Sequence, residues 1–312
     1  MISSVESKKT ILISFSGGET SAYMLSWLLK NKSEEYTFIV VFANTGRENE
    51  ETLLFVKQCS EFFGVEVVWI ESLIDGDVRK GTNHKIVTYE TATRKDDWRL
   101  RDDTPYEKMI KRYGIPNIAY RFSTRELKDR PITSYMRSLG YKNNTYEIAI
   151  GIRIDEIDRM SEKANVRGFI YPLIKWKRMT KKHINFWWSQ QPFRLMLKGY
   201  EGNCTDCYKK YLHKLYWIAK EKPEDFDFPI EMERKYENYL PEGRRKFFEE
   251  RGEPIPPPPY RFYRENKSAK EIIENSKTHT KLMVDDSIDK NIQNDLFDDE
   301  NESCEVFTNC GE

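Results

Sequence analysis

Two hydrophobic periodicities alternate along the first 70 residues of the chain. Three apolar, β-branched runs are typical of strands buried on both faces, at 11–15, 38–42 and 65–70. The segments between them carry apolar residues at helical spacing, at 21–30 and 50–63. Gly64 follows the second segment, where a left-handed helix cap belongs. This βαβαβ order predicts an α/β fold with a doubly wound parallel sheet and right-handed crossovers.

The whole chain is predicted to fall into three parts. They are an α/β domain, a helical and proline-rich extension, and an acidic tail, over 1–215, 216–266 and 267–312. Within the first part, 71–129 lack a clean hydrophobic period and are predicted to be a long insertion or lid, whereas 146–150 are predicted to be a fourth strand. The tail is predicted to be disordered, apart from a short helix around Ile272, because its hydrophobicity is low and its acidity rises.

The composition is that of a soluble globular protein. Of the 312 residues, 38 % are hydrophobic and 33 % are charged, with 51 basic residues against 51 acidic ones. The apolar runs are far shorter than the roughly 20 residues of a membrane helix, and the polar opening of the chain is unlike a secretion signal. Five cysteines, an odd number, do not indicate a disulfide framework. We therefore expect a cytoplasmic protein with no membrane partner.

Charge is distributed unevenly along the chain. Residues 79–130 carry 14 Lys and Arg against 8 Asp and Glu, whereas 285–312 carry 10 acidic residues against one Lys. The basic stretch is compatible with a nucleic-acid or nucleobase acceptor, and equally with the solvated surface of a lid. We expect a homo-oligomer, and the sequence does not identify another protein partner.

A glycine pair follows the first predicted strand, in Ser16-Gly17-Gly18-Glu19-Thr20-Ser21. Ligands of open parallel sheets bind at the carboxyl ends of the strands. Glycines allow the backbone to approach an anion, and the first N–H groups of the following helix point at it. The loop therefore predicts a phosphate cradle, although an ordinary strand-to-helix turn explains the spacing equally well.

Two further polar loops follow predicted strands. They are Asn44-Thr45-Gly46-Arg47-Glu48, and Gly151-Ile152-Arg153-Ile154-Asp155-Glu156 with Arg159 beyond. Each alone could be a capping loop with a solvated salt bridge. Together with the glycine loop they predict arginines and carboxylates on one rim, where they would hold phosphates and a divalent ion.

Six motifs occur in the order shown by the phosphoadenosine-phosphosulfate (PAPS) reductase family. They are the glycine loop, Asn44-Thr45-Gly46, Thr124 to Pro131, Gly151 to Glu156, Tyr171-Pro172-Leu173 with Trp176, and Gly202-Asn203-Cys204-Thr205-Asp206-Cys207. Over about residues 8–215 the chain therefore resembles this family, which belongs to the N-type ATP pyrophosphatase superfamily with its adenine nucleotide alpha hydrolase-like fold. The resemblance implies an adenine nucleotide bound across the strand ends.

The resemblance also implies roles for individual residues. The implied nucleotide-binding set is Ser16, Gly17, Gly18, Thr20, Ser21, Asn44, Thr45, Gly46 and Arg159. Thr20 stands where the superfamily loop has Asp, and a hydroxyl is a weaker Mg²⁺ ligand than a carboxylate. Asp155 or Glu156 is therefore expected to take over the metal. Lys128, in a Lys-x-x-Pro element, and Arg153 are similar to the residues that face the phosphate or sulfate end, and these four are the implied catalytic residues.

The cysteines depart from the pattern of the iron-sulfur members. Those members carry a Cys pair just before Lys-x-x-Pro, where this chain has Phe122 and Ser123, so an iron-sulfur cluster is not expected. Cys204 and Cys207 remain a tentative metal pair or a redox pair. The residues that could complete a zinc or cluster site are His183, His213, Cys304 and Cys310.

The resulting functional hypothesis is an enzyme that uses ATP and Mg²⁺ to adenylate a substrate and releases pyrophosphate. A sulfur or amine donor would then displace AMP. One alternative is a reductase that releases sulfite from PAPS through Cys310, and another is a non-catalytic nucleotide sensor.

Overall fold

A computed structural model describes residues 8–74 and 81–288. Cys304, Cys310 and most of the predicted acidic tail lie outside the described residues. In the part of the chain that is described, no helix has the length and apolar character needed to cross a membrane.

The core of the fold is a six-stranded, mostly parallel sheet. Its strands are β1 (Lys9–Ser14), β2 (Tyr36–Asn44), β3 (Val67–Leu73), β4 (Asn83–Val87), β5 (Glu147–Ala149) and β6 (Phe169–Ile170). The order across the sheet is β4-β3-β2-β1-β5-β6, and only β4 runs antiparallel to its neighbour. The chain moves outward in one direction from β1 to β3 and in the other direction from β5, so the strand order reverses between β1 and β5.

Twelve α-helices lie among the described residues. They are α1 (Glu19–Lys32), α2 (Glu50–Phe63), α3 (Pro105–Tyr113), α4 (Phe122–Thr124), α5 (Arg130–Ser138), α6 (Ala164–Arg167), α7 (Pro172–Lys175), α8 (Lys181–Trp188), α9 (Leu212–Glu221), α10 (Asp227–Tyr236), α11 (Glu242–Arg251) and α12 (Ala269–Thr278). A π-helical segment, Arg125–Asp129, joins α4 to α5 without a break. The predicted left-handed cap of α2 is confirmed, with Gly64 at φ 61°.

Helices cover both faces of the sheet. Ile11 and Ile13 of β1 pack with α1, α2 and α8, whereas Leu12 packs on the opposite face with Ile132 and Met136 of α5. This alternation is what strands buried on both faces require. The predicted α/β, doubly wound fold is confirmed.

A third apolar cluster joins the middle and the end of the chain. Met109 of α3 packs with Leu215 of α9, Met232 of α10 and Ile272 of α12, all of which are buried. Residues 71–129 are therefore not simply a lid, because β4 extends the sheet and α3 belongs to this cluster.

The boundary predicted at 215–216 falls within α9, so no linker separates the first two predicted parts. The tail is predicted to be disordered from residue 267 apart from a short helix around Ile272, and its described part, 267–288, packs on the rest of the protein through α12. Ser268 caps α12 by accepting a hydrogen bond from the Glu271 N–H, and Ile272 is fully buried. The expected short helix around Ile272 is present.

Candidate active site

The glycine loop lies at the point where the strand order reverses. It connects the end of β1 to α1, whose first helical residue is Glu19. The Ser16 and Ser21 hydroxyls lie 2.9 Å apart, and the Ser21 hydroxyl donates to the Gly18 carbonyl at 2.9 Å. These bonds close the loop around the start of α1. The N–H groups of the first helical turn have no acceptor within the helix, so they are available to an anion.

Gly17 is required by both backbone conformation and packing. Its φ is +81°, a region that favours glycine. A Cβ at this position would lie 2.8 Å from Thr52 Cγ2 and 3.0 Å from the Phe42 ring. The loop is therefore pressed against β2 and α2, and its shape is set by the protein core.

Asn203 fastens the glycine loop to the second helix. Its side-chain amide donates to the Ser16 carbonyl at 2.9 Å, and its own carbonyl accepts the Asn49 N–H at 2.9 Å. Asn49 precedes α2, and its side chain donates to the Gly202 carbonyl at 3.0 Å. The sequence had placed Asn203 within a shared motif without assigning it a role.

Glu19 brings a buried carboxylate to the first turn of α1. Arg194 donates to both of its oxygens, from Nε and Nη2, each at 3.0 Å. The Trp188 indole donates to the Glu19 carbonyl at 2.9 Å. Burial nonetheless raises the pKa of Glu19, because desolvation outweighs the stabilising effect of Arg194. No local sequence pattern reveals this pair, because its members are 175 residues apart.

The loop after β5 approaches the glycine loop closely. A Cβ at Gly151 would lie 3.1 Å from the Ser21 Cα, so glycine permits this contact. Arg153 is almost fully buried, and its Nη1 donates to the Thr20 hydroxyl at 3.0 Å. The structure thus brings together the predicted residues Thr20, Ser21 and Arg153.

Two carboxylates surround the Arg153 guanidinium. Its Nε donates to Asp155 Oδ1 at 3.0 Å, and its Nη1 lies 3.2 Å from Glu156 Oε2. Glu156 is buried and also accepts from Arg159 at 2.5 Å, whereas the Asp155 side chain is 33 % exposed. Asp155 is therefore the accessible carboxylate of this rim, and Glu156 holds the two arginines in place.

The loop after β2 is mostly bonded within itself. The Asn44 amide donates to Glu71 at 2.7 Å and to the Thr93 carbonyl at 2.9 Å. Glu48 accepts the Thr45 N–H at 2.9 Å and the Thr45 hydroxyl at 2.8 Å. These predicted ligand-binding residues shape the turn, in which Gly46 has a φ of +77°.

Arg47 does not lie on the predicted phosphate rim. It is buried, with its Cζ 4.2 Å from the centre of the Phe228 ring, and its Nε lies 3.3 Å from Asp206 Oδ1. These contacts tie the β2 loop to α10 and to the cysteine motif. These partners occupy the Arg47 guanidinium in this structure, and Arg47 also lines the pocket that contains Lys128.

Lys128 and the cysteine pair line one small pocket. The pocket has a volume of about 30 Å³, with room for one or two waters. Its lining includes Thr45, Ser123, Lys128, Cys204 and Cys207. Lys128 Nζ lies 3.9 Å from Glu48 Oε1, and the Cys204 thiol donates to the same oxygen at 3.6 Å. The structure therefore places the predicted lysine and Cys204 beside one carboxylate, and Cys207 lines the same pocket.

The described residues do not complete a site for zinc or an iron-sulfur cluster. Within 8–74 and 81–288, no group of three or more His, Cys, Asp or Glu side chains is placed to hold a metal ion. His183 instead bonds to Thr180 at the start of α8, and His213 lies 2.7 Å from His279. The two remaining ligands considered from the sequence, Cys304 and Cys310, lie outside the described residues.

Comparison with known proteins agrees with this geometry. The phosphoadenosine phosphosulfate reductase domain matches residues 10–180. The uncharacterized nin region protein ORF290 of Escherichia phage lambda is 33 % identical over 212 residues, which are 68 % of this chain and 70 % of that protein. An uncharacterized protein of Methanocaldococcus jannaschii is 25 % identical over 256 residues, which are 77 % of this chain and 43 % of that protein.

The fold and the site define an α/β protein whose glycine loop lies at the switch point of a mostly parallel sheet. The chain belongs to the PAPS reductase family. The predicted resemblance is thereby confirmed. At the level of the family, this is a nucleotide-utilising enzyme.

Proposed function

We propose that the protein binds ATP across the carboxyl ends of β1 and β5, and transfers AMP to a substrate oxygen with release of pyrophosphate. A sulfur or amine donor then displaces AMP from the activated substrate. The observation that carries the proposal is the Arg153 to Thr20 contact of 3.0 Å, which joins the β5 loop to the glycine loop. A single polyphosphate chain can reach both loops, because they already touch.

The glycine loop supplies the first half of the phosphate site. The start of α1 offers unpaired N–H groups and the positive end of the helix dipole. Glu19 would repel an anion at this place, but its charge is balanced by the two-pronged bond from Arg194. The loop is therefore suited to a polyphosphate despite the acidic residue within it.

Arg153 supplies the second half. Three of its donors face Asp155 and Thr20 in this structure. Since Asp155 is partly exposed, an incoming phosphate can replace it on the guanidinium, whose fork matches a phosphate as well as a carboxylate. This exchange would release Asp155 toward the bound nucleotide.

The donor set fits Mg²⁺ held jointly by the nucleotide and the protein. Mg²⁺ is usually bound through one or two carboxylates together with phosphates and waters. Asp155 is the carboxylate of this rim that is accessible enough for that role, and Glu156 is committed to Arg153 and Arg159. When bound, the ion would neutralise charge on the phosphates as pyrophosphate leaves.

A second candidate function is favoured by the cysteine pocket. Two thiols lie beside Lys128, and a thiol nucleophile is what a reductase acting on PAPS needs. The products distinguish the two functions, because an adenylating enzyme releases pyrophosphate from ATP and a reductase releases sulfite from PAPS.

The test is calorimetric titration with Mg²⁺ and α,β-methylene-ATP, which cannot be cleaved at the bond in question. We expect Arg153→Lys to weaken binding by about tenfold to a hundredfold, because the charge is kept while the forked hydrogen bonds are lost. Arg234→Lys is the matched control, since Arg234 is an exposed arginine on α10 that pairs with Glu231. Equal affinities for the two variants would remove Arg153 from the site, and tighter binding of PAPS than of the ATP analogue would favour the reductase.

A further inference from the structure

Aromatic rings and arginines alternate on the surface beside the cysteine pocket. The arginine–aromatic ridge consists of Tyr113, Tyr120 and Phe122 with Arg112, Arg125 and Arg130. The Phe122 ring stacks on Tyr113 with centroids 6.0 Å apart and planes 29° apart, and on Tyr120 at 6.2 Å and 16°. Three rings thus form one continuous stack, and all three are only partly buried. Buried Arg244 covers the Tyr120 end of the stack, with its Cζ 4.1 Å from the ring centre, so the Tyr113 end is the one that faces the ridge arginines.

The arginines of the ridge are held against these rings. Arg125 Cζ lies 5.7 Å from the centre of the Phe122 ring and 5.9 Å from that of Tyr113. Arg112 Cζ lies 5.5 Å from the Tyr113 ring, and Arg130 donates to the Tyr113 hydroxyl at 3.5 Å. Cation–π contacts fix the planes of such guanidiniums.

The field of the ridge is positive toward solvent. Arg125 and Arg130 both pair with Glu126, at 2.8 and 3.0 Å. Glu126 is completely buried, whereas the two arginine side chains are 45 % and 43 % exposed. One carboxylate below the surface therefore serves two guanidiniums at the surface, and Arg112 adds a third cation beside them.

The ridge adjoins the candidate active site. Phe122 begins α4, and the next two residues, Ser123 and Thr124, line the pocket that contains Lys128 and Cys207. The helix that starts here leads through α5 to the parallel strand β5, so its beginning lies at the carboxyl edge of the sheet. A substrate held on the ridge would reach the pocket without crossing the protein.

From this arrangement we propose that the arginine–aromatic ridge binds single-stranded nucleic acid, the acceptor class of the reaction. Unpaired bases stack on aromatic rings and guanidinium planes, and arginines contact the phosphates between them. A duplex offers its phosphates but not its base faces, so it would use only half of this surface. The inference rests on the proposed function for the chemistry that follows, but the binding step does not require ATP.

The direct test is fluorescence anisotropy with labelled 15-nucleotide oligothymidylate and oligouridylate, and with a duplex of the same length. We expect both single strands to bind more tightly than the duplex. Arg125→Gln should weaken binding, and should lower the slope of log affinity against log salt by about 0.7 because one phosphate contact is lost. Arg234→Gln is the matched control, since it removes an exposed arginine on a different helix.

The contribution of base stacking is tested by replacing one aromatic ring of the ridge. Tyr113→Leu should weaken binding by about tenfold and leave the salt slope unchanged, because a base contact is lost and no charge is removed. Thermal denaturation of each variant separates loss of binding from loss of folding. Arg125→Lys serves as a second charge-preserving variant, and it should keep the slope of the wild type with reduced affinity.

Three results would overturn the inference. They are equal affinities of Arg125→Gln and Arg234→Gln for the single strands, tighter binding of the duplex, and binding of polyglutamate in place of oligonucleotides with the same dependence on Arg125. Titration with Mg²⁺ and α,β-methylene-ATP is done in parallel. Binding of that analogue without oligonucleotide binding would refute the ridge alone, and the reverse would refute the proposed nucleotide site alone.

Discussion

Arg194 is a long-range determinant of the glycine loop, and its removal gives the sharpest test of how that loop is held. Arg194→Gln removes the partner of Glu19, a carboxylate whose side chain is only 9 % exposed. Gln cannot supply the two parallel charged bonds, each of 3.0 Å, that Arg194 makes. The substitution also removes the bond from Arg194 Nη2 to the Ser287 carbonyl at 2.7 Å.

The size of the effect follows from burial. Breaking a buried ion pair by removing one partner costs about 3–5 kcal/mol, because the remaining charge is left uncompensated. Arg194 is 20 % exposed, so the lower end of this range is expected. At an unfolding entropy of about 2.1 cal/mol/K per residue, a loss of about 3 kcal/mol in a chain of 312 residues corresponds to a fall in Tm of roughly 5 °C. Glu19→Gln/Arg194→Gln removes the stranded charge and should recover all but about 1 kcal/mol, the value of the lost bond to Ser287.

The loss of unfolding free energy in Arg194→Gln should depend on pH. Burial raises the pKa of Glu19 in the folded protein, and two effects of Arg194 oppose that rise. Arg194→Gln removes both, so the pKa of Glu19 rises further. The stability that such a group contributes is present below its unfolded pKa and is lost as pH rises through its folded pKa. The deficit of the variant should therefore be small at pH 5 and large at pH 8.

Urea denaturation of the wild type, both single variants and the double variant, at pH 5 and pH 8, checks the expectation. Titration with Mg²⁺ and α,β-methylene-ATP at pH 8 should show weaker binding to Arg194→Gln and recovery in the double variant, because the stranded carboxylate lies at the start of α1. A deficit that is the same at both pH values, or that Glu19→Gln fails to relieve, would show that Arg194 acts through packing and not through charge.

Two further predictions concern stability. Burial raises the pKa of Glu233 to about 7, so the stability of the wild type relative to Glu233→Gln should fall by about 3 kcal/mol between pH 5 and pH 8 in urea denaturation; Glu231→Gln, at a carboxylate whose pKa is lowered by Arg234, should show no such fall, and a flat difference for Glu233→Gln would contradict the reasoning. Gly17→Ala should cost about 2–5 kcal/mol in the same assay, because it combines an unfavourable φ with contacts to the core. Gly18→Ala should cost under about 1.5 kcal/mol, because Gly18 has a φ of −103° and its Cβ would crowd only the Asn203 amide, at 3.2 Å. Similar losses for the two alanines would show that the loop is not held as described.

Much of the central sheet could be predicted because its signals are local. The predicted helix over 50–63 has the same bounds as α2, and the predicted strand over 11–15 overlaps β1. A short β-branched run, a stripe at helical spacing and a glycine stop are each readable within about a dozen residues. The same signals located the three polar loops at the carboxyl edge.

The missed elements lack such signals. β4 is an edge strand with one buried residue, Val87, so its sequence shows no apolar run or alternation. α3 carries Lys108, Lys111 and Arg112 on its outer side, and its buried residues Met109 and Ile110 are too few to reveal a period. In both cases tertiary contacts determine the secondary structure, and the local pattern does not.

At two positions the chain departs from the family pattern, and at both the replacing side chain makes hydrogen bonds within the site. Thr20 stands where the family pattern has Asp, and its hydroxyl accepts a hydrogen bond from Arg153 at 3.0 Å. A metal ion bound to an Asp at this position would compete with Arg153 for the carboxylate. Ser123 stands where iron-sulfur members have a Cys, and its hydroxyl lies 2.8 Å from the Tyr208 hydroxyl in a buried contact. Tyr208 directly follows Cys207, so the Ser123 to Tyr208 bond fixes the edge of the cysteine pocket. In a nucleotide sensor that had only lost its metal-ligating residues, these polar groups would be left without hydrogen-bond partners. Each buried group without a partner would lower the free energy of unfolding by about 1–3 kcal/mol. Because both replacements have partners of their own, they favour a retained site over a nucleotide sensor that has lost its ligands.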